Sequence, residues 1–135
     1  MLSHDEKIRV RYGETDQMGY VYYGNYALYY EVGRVELLRK LGISYSDIEK
    51  QGVALPVLSF DIKYFKPCRY DDLLTIRTSI TEKPTTRITF HYECFNEANE
   101  LCNHGKITLV FVDKVTGKPI KCPQNIERLF HLFDK

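Results

Sequence analysis

The chain has 135 residues, of which 44% are hydrophobic, and a net charge of +1 from 19 basic and 18 acidic side chains. This length predicts a single domain, residues 1–135, with enough apolar side chains to bury a core. The balanced charge argues against a nucleic-acid partner, because nucleic-acid-binding domains carry a basic excess. No run reaches the ~20 apolar residues of a membrane span, and no apolar signal segment opens the chain, so we expect a soluble, cytoplasmic protein.

The first elements are a strand and a turn-prone loop. Residues 7–12 alternate, with Ile8, Val10 and Tyr12 on the apolar face, and this pattern predicts a half-buried strand. The loop that follows contains two carboxylates, Glu14 and Asp16. Seven of the eleven tyrosines fall between residues 12 and 30, which is typical of a wet cleft or a subunit interface and equally of core packing.

A helical pattern then extends from Asn25 to Leu41, and Gly42 stands where a terminating glycine is usual. Asn25 is a preferred N-cap residue. Apolar side chains cover so much of the circumference that we expect the helix to be buried on several sides. Gly33 costs about 1 kcal/mol relative to alanine in mid-helix. It therefore predicts a close approach of the helix to a neighbouring strand.

The rest of the chain is dominated by strands without intervening helices. The predicted elements are a short helix over residues 44–50, strands over residues 58–64, 74–80, 88–94 and 101–112, and a C-terminal helix over residues 123–133. The apolar run at the end of the last strand indicates a central place in the sheet. Sequential strands joined by short turns form antiparallel sheets, and the early helix must pack on one face. The sequence therefore predicts an α+β fold.

Several kinds of functional site are absent from the sequence. It contains no G-x-S-x-G elbow and no glycine-rich nucleotide loop. The four cysteines form no C-x-x-C pair, and the four histidines are isolated, so we expect reduced, partly buried thiols and no metal site. The remaining candidate chemistry is a carboxylate beside the start of a helix, where unpaired backbone amides carry partial positive charge and polarise a carbonyl.

The same residues carry a family resemblance. Tyr12-x-x-x-Asp16 and Gly19-x-Val21-x-Tyr23-x-Asn25-Tyr26 resemble the signature of the 4-hydroxybenzoyl-CoA thioesterase family, most closely its short acyl-CoA thioesterases associated with the Tol–Pal system. The likeness continues through Glu31-x-x-Arg34, residues 64–72 and residues 110–113, and covers roughly residues 6 to 123. It implies a hotdog fold, in which a curved antiparallel sheet of about five strands wraps a long helix. Many close relatives carry His at the position of Tyr23.

The resemblance also implies functional residues. Asp16 becomes the catalytic carboxylate, as general base or as nucleophile, and the backbone amide of Tyr23 becomes the principal oxyanion donor. The substrate is an acyl-CoA, whose coenzyme A is part of the substrate, and no separate cofactor is expected. Glu14 is expected to support the loop or face solvent.

A wider set of residues is expected to bind the substrate. Gly24 and Asn25 form the helix start, while Tyr12 and Tyr26 are candidates for the acyl channel. Cationic side chains on the rim suit coenzyme A phosphates, which points to Lys66 and Arg69. The turn that contains Thr85, Thr86 and Arg87 resembles the nucleotide-contacting region of the family. Each of these charged side chains is more typical of a solvated surface than of a phosphate site.

Two other functions share this fold. A hotdog dehydratase needs an acid–base histidine, and the helix over residues 25–41 contains none. A non-catalytic acyl-CoA sensor would make Asp16 dispensable, and the sequence leaves that alternative open. Long strands with an unpaired edge predict association with copies of the same chain, as a dimer or tetramer.

Overall fold

The computed structural model of the protein describes residues 2–130. The helices are α1 (Asn25–Lys40), α2 (Tyr45–Lys50) and α3 (Gln124–Glu127). The strands are β1 (Leu2–Arg9), β2 (Val53–Ala54), β3 (Val57–Tyr64), β4 (Leu73–Ile80), β5 (Arg87–Phe95), β6 (Leu101–Val110) and β7 (Val112–Asp113).

Five strands form one antiparallel sheet in the order β1-β4-β5-β6-β3. The α+β class is therefore confirmed, and so is the internal place of the longest strand, β6. That strand ends at Val110 and not at residue 112 as predicted. Val112 and Asp113 pair instead with β2 in a separate two-stranded ribbon.

The first strand differs from its prediction. It spans Leu2–Arg9 and pairs with β4 along its whole length, so it begins five residues earlier than residue 7. Tyr12 lies beyond the strand in a single 3-10 turn, and its side chain is 78% exposed. The alternation was misleading because the half-buried positions of β1 include polar His4 and Glu6, which carry no apolar signal.

Helix α1 has the predicted bounds to within one residue, and Gly42 follows it with a φ of 87°. The helix packs on β1 and β4. A Cβ atom at Gly33 would lie 2.3 Å from Thr78 Oγ1 and 3.0 Å from Ile76 Cγ2, both on β4. The expected close approach of helix and strand is confirmed, and it explains the glycine.

The expectation that α1 is buried on several sides is wrong for the single chain. Leu28 and Val32 are 55% and 41% exposed. The helix lies over the β1–β4 side of the sheet and reaches β3 through ring contacts, Tyr26 to Tyr64 and Tyr30 to Phe60. The inward face of β3 therefore remains partly open.

The four cysteines form no disulfide and are buried more completely than predicted. The predicted C-terminal helix is shorter, because helical structure begins at Gln124 and α3 ends at Glu127. Its predicted last residues, 131–133, lie outside the described residues. Within residues 2–130, no helix combines the length and the apolar character needed to cross a membrane.

Candidate active site

The loop between β1 and α1 folds back on itself around Asp16. The Asp16 amide donates to the Tyr20 carbonyl, and the Gly19 amide donates to the Asp16 carbonyl, at 2.8 and 2.9 Å. Gly19 has a φ of 80°, a conformation that disfavours residues with a Cβ. A hydrogen bond from the Val21 amide to the Cys68 carbonyl ties this turn to the segment after β3. The turn is therefore fixed by backbone contacts on both sides.

The Asp16 carboxylate is held by one oxygen. Oδ1 accepts hydrogen bonds from the backbone amides of Met18 and Tyr20, at 2.9 and 3.2 Å. Among the described residues, no hydrogen-bond donor contacts Oδ2. The side chain is half-buried, so its orientation is fixed while one oxygen remains available to an incoming molecule.

Glu14 has a different role, as expected. Its carboxylate accepts hydrogen bonds from the Arg11 amide, the Arg11 guanidinium and the Tyr29 hydroxyl. Partial burial opposes ionisation, but these hydrogen bonds outweigh it and lower the pKa of the Glu14 carboxyl. The Glu14 backbone carbonyl also accepts from the Tyr22 amide and from Asn25 Nδ2. Glu14 therefore braces the loop against the start of α1.

The start of α1 leaves two backbone donors unused. The Asn25 and Tyr26 amides donate to the Tyr22 and Tyr23 carbonyls. The amides of Tyr23 and Gly24 have no acceptor among residues 2–130. Gly24 and not Asn25 occupies the N-cap position, since the Asn25 side chain bonds to Glu14 instead of capping the helix.

Asp16 and Tyr23 line the same cavity, which has a volume of about 320 Å³. Tyr26 forms part of its wall, and burial raises the pKa of the Tyr26 hydroxyl, which therefore stays protonated. The other lining residues are Met18, Tyr20, Val21, Tyr64, Phe65, Lys66 and Pro67. A half-buried carboxylate and aromatic walls thus meet at Tyr23, whereas the predicted substrate-binding residues Gly24 and Asn25 do not line the cavity.

Comparison with known proteins assigns the family. A sequence profile of the thioesterase-like superfamily matches residues 10–130. The chain belongs to this superfamily. The Bacillus subtilis protein YneP is 41% identical over 116 residues, which cover 86% of this chain and 84% of that protein. The acyl-CoA thioester hydrolase YbgC of Escherichia coli is 35% identical over 119 residues, covering 88% and 89% of the two chains.

A solved structure supports the same assignment. The crystal structure of a DHNA-CoA thioesterase from Staphylococcus aureus superposes with a TM-score of 0.87 at 36% identity, covering 99% of this chain and 87% of that one. The resemblance inferred from the signature loop is therefore confirmed. So is the hotdog fold, in which α1 packs against the five-stranded antiparallel sheet of a thioesterase domain.

The Asp16 cavity brings together some of the predicted substrate-binding residues. Tyr26 and Lys66 line it, and Lys66 pairs with Glu100 at its rim. Arg69 lies outside, with its guanidinium 4.8 Å from the centre of the Tyr20 ring. Tyr12 packs edge-on against Tyr70 and does not line the cavity.

The turn containing Thr85, Thr86 and Arg87 lies elsewhere in the chain. It precedes β5 at the end where Arg87 pairs with Val110. The Asp16 cavity lies near the opposite end of the sheet, where the Lys66 amide bonds to the Cys102 carbonyl. The length of β5 separates the two ends by roughly 26 Å at ~3.3 Å per residue. One chain therefore does not bring the turn to this cavity.

Sequence reasoning did not assign six of the ten cavity-lining residues, namely Met18, Tyr20, Val21, Tyr64, Phe65 and Pro67. Tyr64 is the last residue of β3, Phe65 and Pro67 lie just beyond it, and Tyr64 and Phe65 are each 47% exposed. Consecutive aromatic residues at a strand end were the available signal. The pairing of Tyr20 with Arg69 brings this segment to the Asp16 loop, and that contact is long-range.

A cluster of thiols lies behind the cavity. The neighbouring Cys94 thiol, and to a smaller extent the Tyr26 hydroxyl, lower the pKa of the Cys68 thiol against the opposing effect of burial. Cys68 is fully buried, so it does not reach the cavity. Across residues 2–130, no three His, Cys, Asp or Glu side chains converge to hold a metal ion.

Proposed function

We propose that this protein hydrolyses acyl-CoA thioesters, with Asp16 as the catalytic carboxylate. The observation that supports the proposal is one cavity lined by Asp16 and Tyr23, in which one oxygen of Asp16 and the Tyr23 amide have no hydrogen-bond partner among residues 2–130. The amide of Gly24, the next residue, is also unused but does not line the cavity. The names of the similar Escherichia coli and Staphylococcus aureus proteins support the substrate class.

The thioester carbonyl oxygen would lie against the amides of Tyr23 and Gly24. These donors stand at the positive end of a sixteen-residue helix, so they stabilise the negative charge that develops on the oxygen. Loss of one such donor costs about 2.7–4 kcal/mol in other enzymes. Because the donors are backbone groups, Tyr23 contributes through its position and not through its hydroxyl.

Asp16 acts by one of two routes. As a general base it takes a proton from water, and the hydroxide attacks the carbonyl carbon while the thiolate of coenzyme A leaves. As a nucleophile it forms an acyl anhydride, which water then hydrolyses to regenerate the carboxylate. In both routes one water is consumed, the acid and the thiol are released, and the amides of Met18 and Tyr20 hold the carboxylate in place.

The active form is proposed to contain at least two chains. Among residues 2–130, β3 pairs with β6 on one side and with no strand on the other. Its Leu58, Phe60 and Tyr64 side chains are 51%, 39% and 47% exposed. An open, apolar edge of this kind favours pairing with another strand. A second copy would cover this edge. Its 85–87 turn would then stand in a different position relative to the Asp16 cavity from the 85–87 turn of the same chain.

Thiol release from a panel of acyl-CoA substrates tests the proposed activity. Asp16→Asn keeps the shape of the side chain but removes the anionic base, so kcat should fall roughly 10²-fold or more. Binding and thermal melting should change little, because Asn tolerates the turn. Asp5→Asn is the matched control. Asp5 lies on β1, pairs with Arg77 on β4, and does not line the cavity.

The outcomes separate enzyme from sensor. A parent protein that binds acyl-CoA without releasing thiol would support the sensor. Equal rates for the parent and Asp16→Asn would show that the catalytic assignment is wrong.

A further inference from the structure

A side-chain hydrogen bond joins the two halves of the candidate site. Thr15 and Val21 pair in an antiparallel bridge, which closes the loop around Asp16. The Glu14 carbonyl, at the base of this loop, accepts a hydrogen bond from Asn25 Nδ2 at 2.8 Å. Asn25 is the first residue of α1. The bond therefore ties the start of the helix to the loop that carries the proposed catalytic carboxylate.

Three hydrogen bonds form a closed triangle at this point. The Tyr22 amide donates to the Glu14 carbonyl, and the Asn25 amide donates to the Tyr22 carbonyl, both at 2.9 Å. The Asn25 side chain completes the triangle, because the two lone pairs of the Glu14 carbonyl oxygen accept from both donors. The bond from the Asn25 amide to the Tyr22 carbonyl closes a four-residue turn, whose central residues are Tyr23 and Gly24. The triangle therefore fixes the turn that presents the Tyr23 amide.

The location of Asn25 separates it from the substrate. Asp16 and Tyr23 line the cavity, whereas Asn25 does not. The Asn25 side chain is half-buried, and it does not cap the helix. Its influence on the reaction must therefore pass through the Glu14 carbonyl and the turn at Tyr23.

We infer that Asn25 is a positioning residue, which sets the place of the Tyr23 amide relative to the Asp16 carboxylate. The inference rests on the proposed function, in which both groups act on one thioester carbonyl. An oxyanion donor has to lie about 2.7–3.1 Å from the oxygen that gains charge. A misplacement of about 1 Å costs on the order of 10²-fold in rate. Without the Asn25 side chain, the Tyr22 amide alone links the turn to Glu14, so the Tyr23 amide is free to shift.

A kinetic test compares the loss of this bond with the loss of a similar bond elsewhere. Asn25→Ala should lower kcat for an acyl-CoA about tenfold or more. It should change the affinity for free coenzyme A, measured by calorimetry, by less than about twofold, because Asn25 does not contact the ligand. Gln51→Ala is the matched control, since Gln51 also donates from a side-chain amide to a backbone carbonyl, that of Asp47 on α2. Both quantities should stay at the parent values in this control.

A spectroscopic test reports the donor directly. Asp16→Asn should hold an acyl-CoA long enough for infrared difference spectra of an isotope-labelled thioester carbonyl. A hydrogen bond from the Tyr23 amide polarises this carbonyl and lowers its stretching frequency below the value in water. In Asp16→Asn/Asn25→Ala the frequency should return most of the way to the value in water. In Asp16→Asn/Gln51→Ala it should remain low.

The opposing outcomes are distinct. A parent-like kcat in Asn25→Ala, or an unchanged carbonyl frequency, would overturn the inference. Equal losses of kcat and of coenzyme A affinity would overturn it as well, because they indicate a general disruption of the site. Asn25→Asp suits the first turn of a helix but cannot donate, so it replaces Asn25→Ala if that variant melts below the assay temperature. If the parent releases no thiol from any acyl-CoA, the proposed function fails. The carbonyl frequency in the parent and in Asn25→Ala then still decides whether Asn25 positions the Tyr23 amide.

Discussion

The two edge strands of the sheet, β1 and β3, have different surroundings. At the β1 edge, α1 packs over β1 and β4, and the outward side chains form ion pairs such as Asp5–Arg77. At the β3 edge, the helix makes ring contacts only at Tyr64 and Phe60, and apolar side chains remain half-exposed. Each of these strands has a neighbouring strand on one side only, but β1 presents mainly polar side chains to solvent, whereas β3 leaves Leu58, Phe60 and Tyr64 half-exposed.

The candidate site lies at the end of β3, the edge strand with exposed apolar side chains. Its wall includes Tyr64, the last residue of β3, Phe65, which follows it, and Tyr23, which is 65% exposed. Exposed aromatic side chains around a carboxylate are unfavourable in a lone chain, because apolar surface in contact with water is costly. Function and association are therefore expected to depend on the same edge, and the β1 edge is expected to matter for stability alone.

A charge on β3 provides the strongest test of this difference. Leu58→Asp places a carboxylate on the exposed apolar edge, where burial against a second chain would leave it unpaired. We expect the association constant to fall tenfold or more, with a parallel loss of thiol release at low protein concentration. Light scattering and activity over a dilution series measure both.

The control for this variant is Ser3→Asp on β1, an exposed position at the other edge. It should leave association and activity unchanged. If the parent is a monomer at micromolar concentration and is fully active, the proposed dependence on a second chain is wrong.

An added side chain between α1 and β4 should lower the free energy of unfolding without weakening association. Gly33→Ala adds a Cβ 2.3 Å from Thr78 Oγ1, a fully buried atom on β4. Overpacking of this kind costs about 1–3 kcal/mol. Urea unfolding should show the lower free energy of unfolding. Light scattering should give the same molar mass for the variant as for the parent.

A double variant identifies the cause of that loss. If the Thr78 contact is responsible, Gly33→Ala/Thr78→Ala should be less destabilised than the sum of the single variants. Additive losses would point to another cause.

The packing of α1 on β4 was easier to predict from the sequence than the surroundings of β3. Gly33 and Gly42 in a helical pattern sufficed to place α1 and its contact with a strand, because helix ends and packing glycines are local signals. The Asp16 turn was recognisable for the same reason, since Asp16 and Gly19 lie within one short loop.

The part of the site near the end of β3 is assembled by contacts between residues far apart in the sequence, and local sequence patterns do not predict such contacts. Phe65 reaches the site through the contact between Tyr20 and Arg69, almost fifty residues apart in the sequence. The 85–87 turn was expected near the site, but the antiparallel register of β5 places it at the other end of the sheet. Tyr12 was expected on a strand and in the acyl channel, and the structure places it in an exposed turn.

The contacts by which Glu14 holds the loop against the start of α1 should make the stability depend on pH. Glu14→Gln removes an anion that accepts hydrogen bonds from Arg11 and Tyr29, at a cost on the order of 1–2 kcal/mol near pH 7. The folded state lowers the pKa of this carboxyl, so its contribution is present above the unfolded pKa of about 4.3 and is lost as pH falls through the folded value.

Chemical unfolding of the parent and Glu14→Gln across the acid range measures this contribution. The two curves should converge on acidification. Glu49→Gln, at an exposed position on α2, is the control and should follow the parent throughout. A stability difference that stays constant down to pH 3 would show that the charge of Glu14 is not the cause.

The smallest expected effect concerns the Tyr23 hydroxyl. The ring lies 4.8 Å from that of Tyr22 and is largely exposed, while the proposed donor to the oxyanion is the backbone amide. Tyr23→Phe keeps the amide, the ring and the helix start, so kcat should change by less than about twofold. A matched change, Tyr22→Phe, removes the neighbouring hydroxyl and controls for a general effect on the loop. A fall of more than about tenfold in kcat for Tyr23→Phe alone, with binding unchanged, would show that the hydroxyl takes part in the reaction. The open edge would then supply a side-chain donor as well as backbone amides.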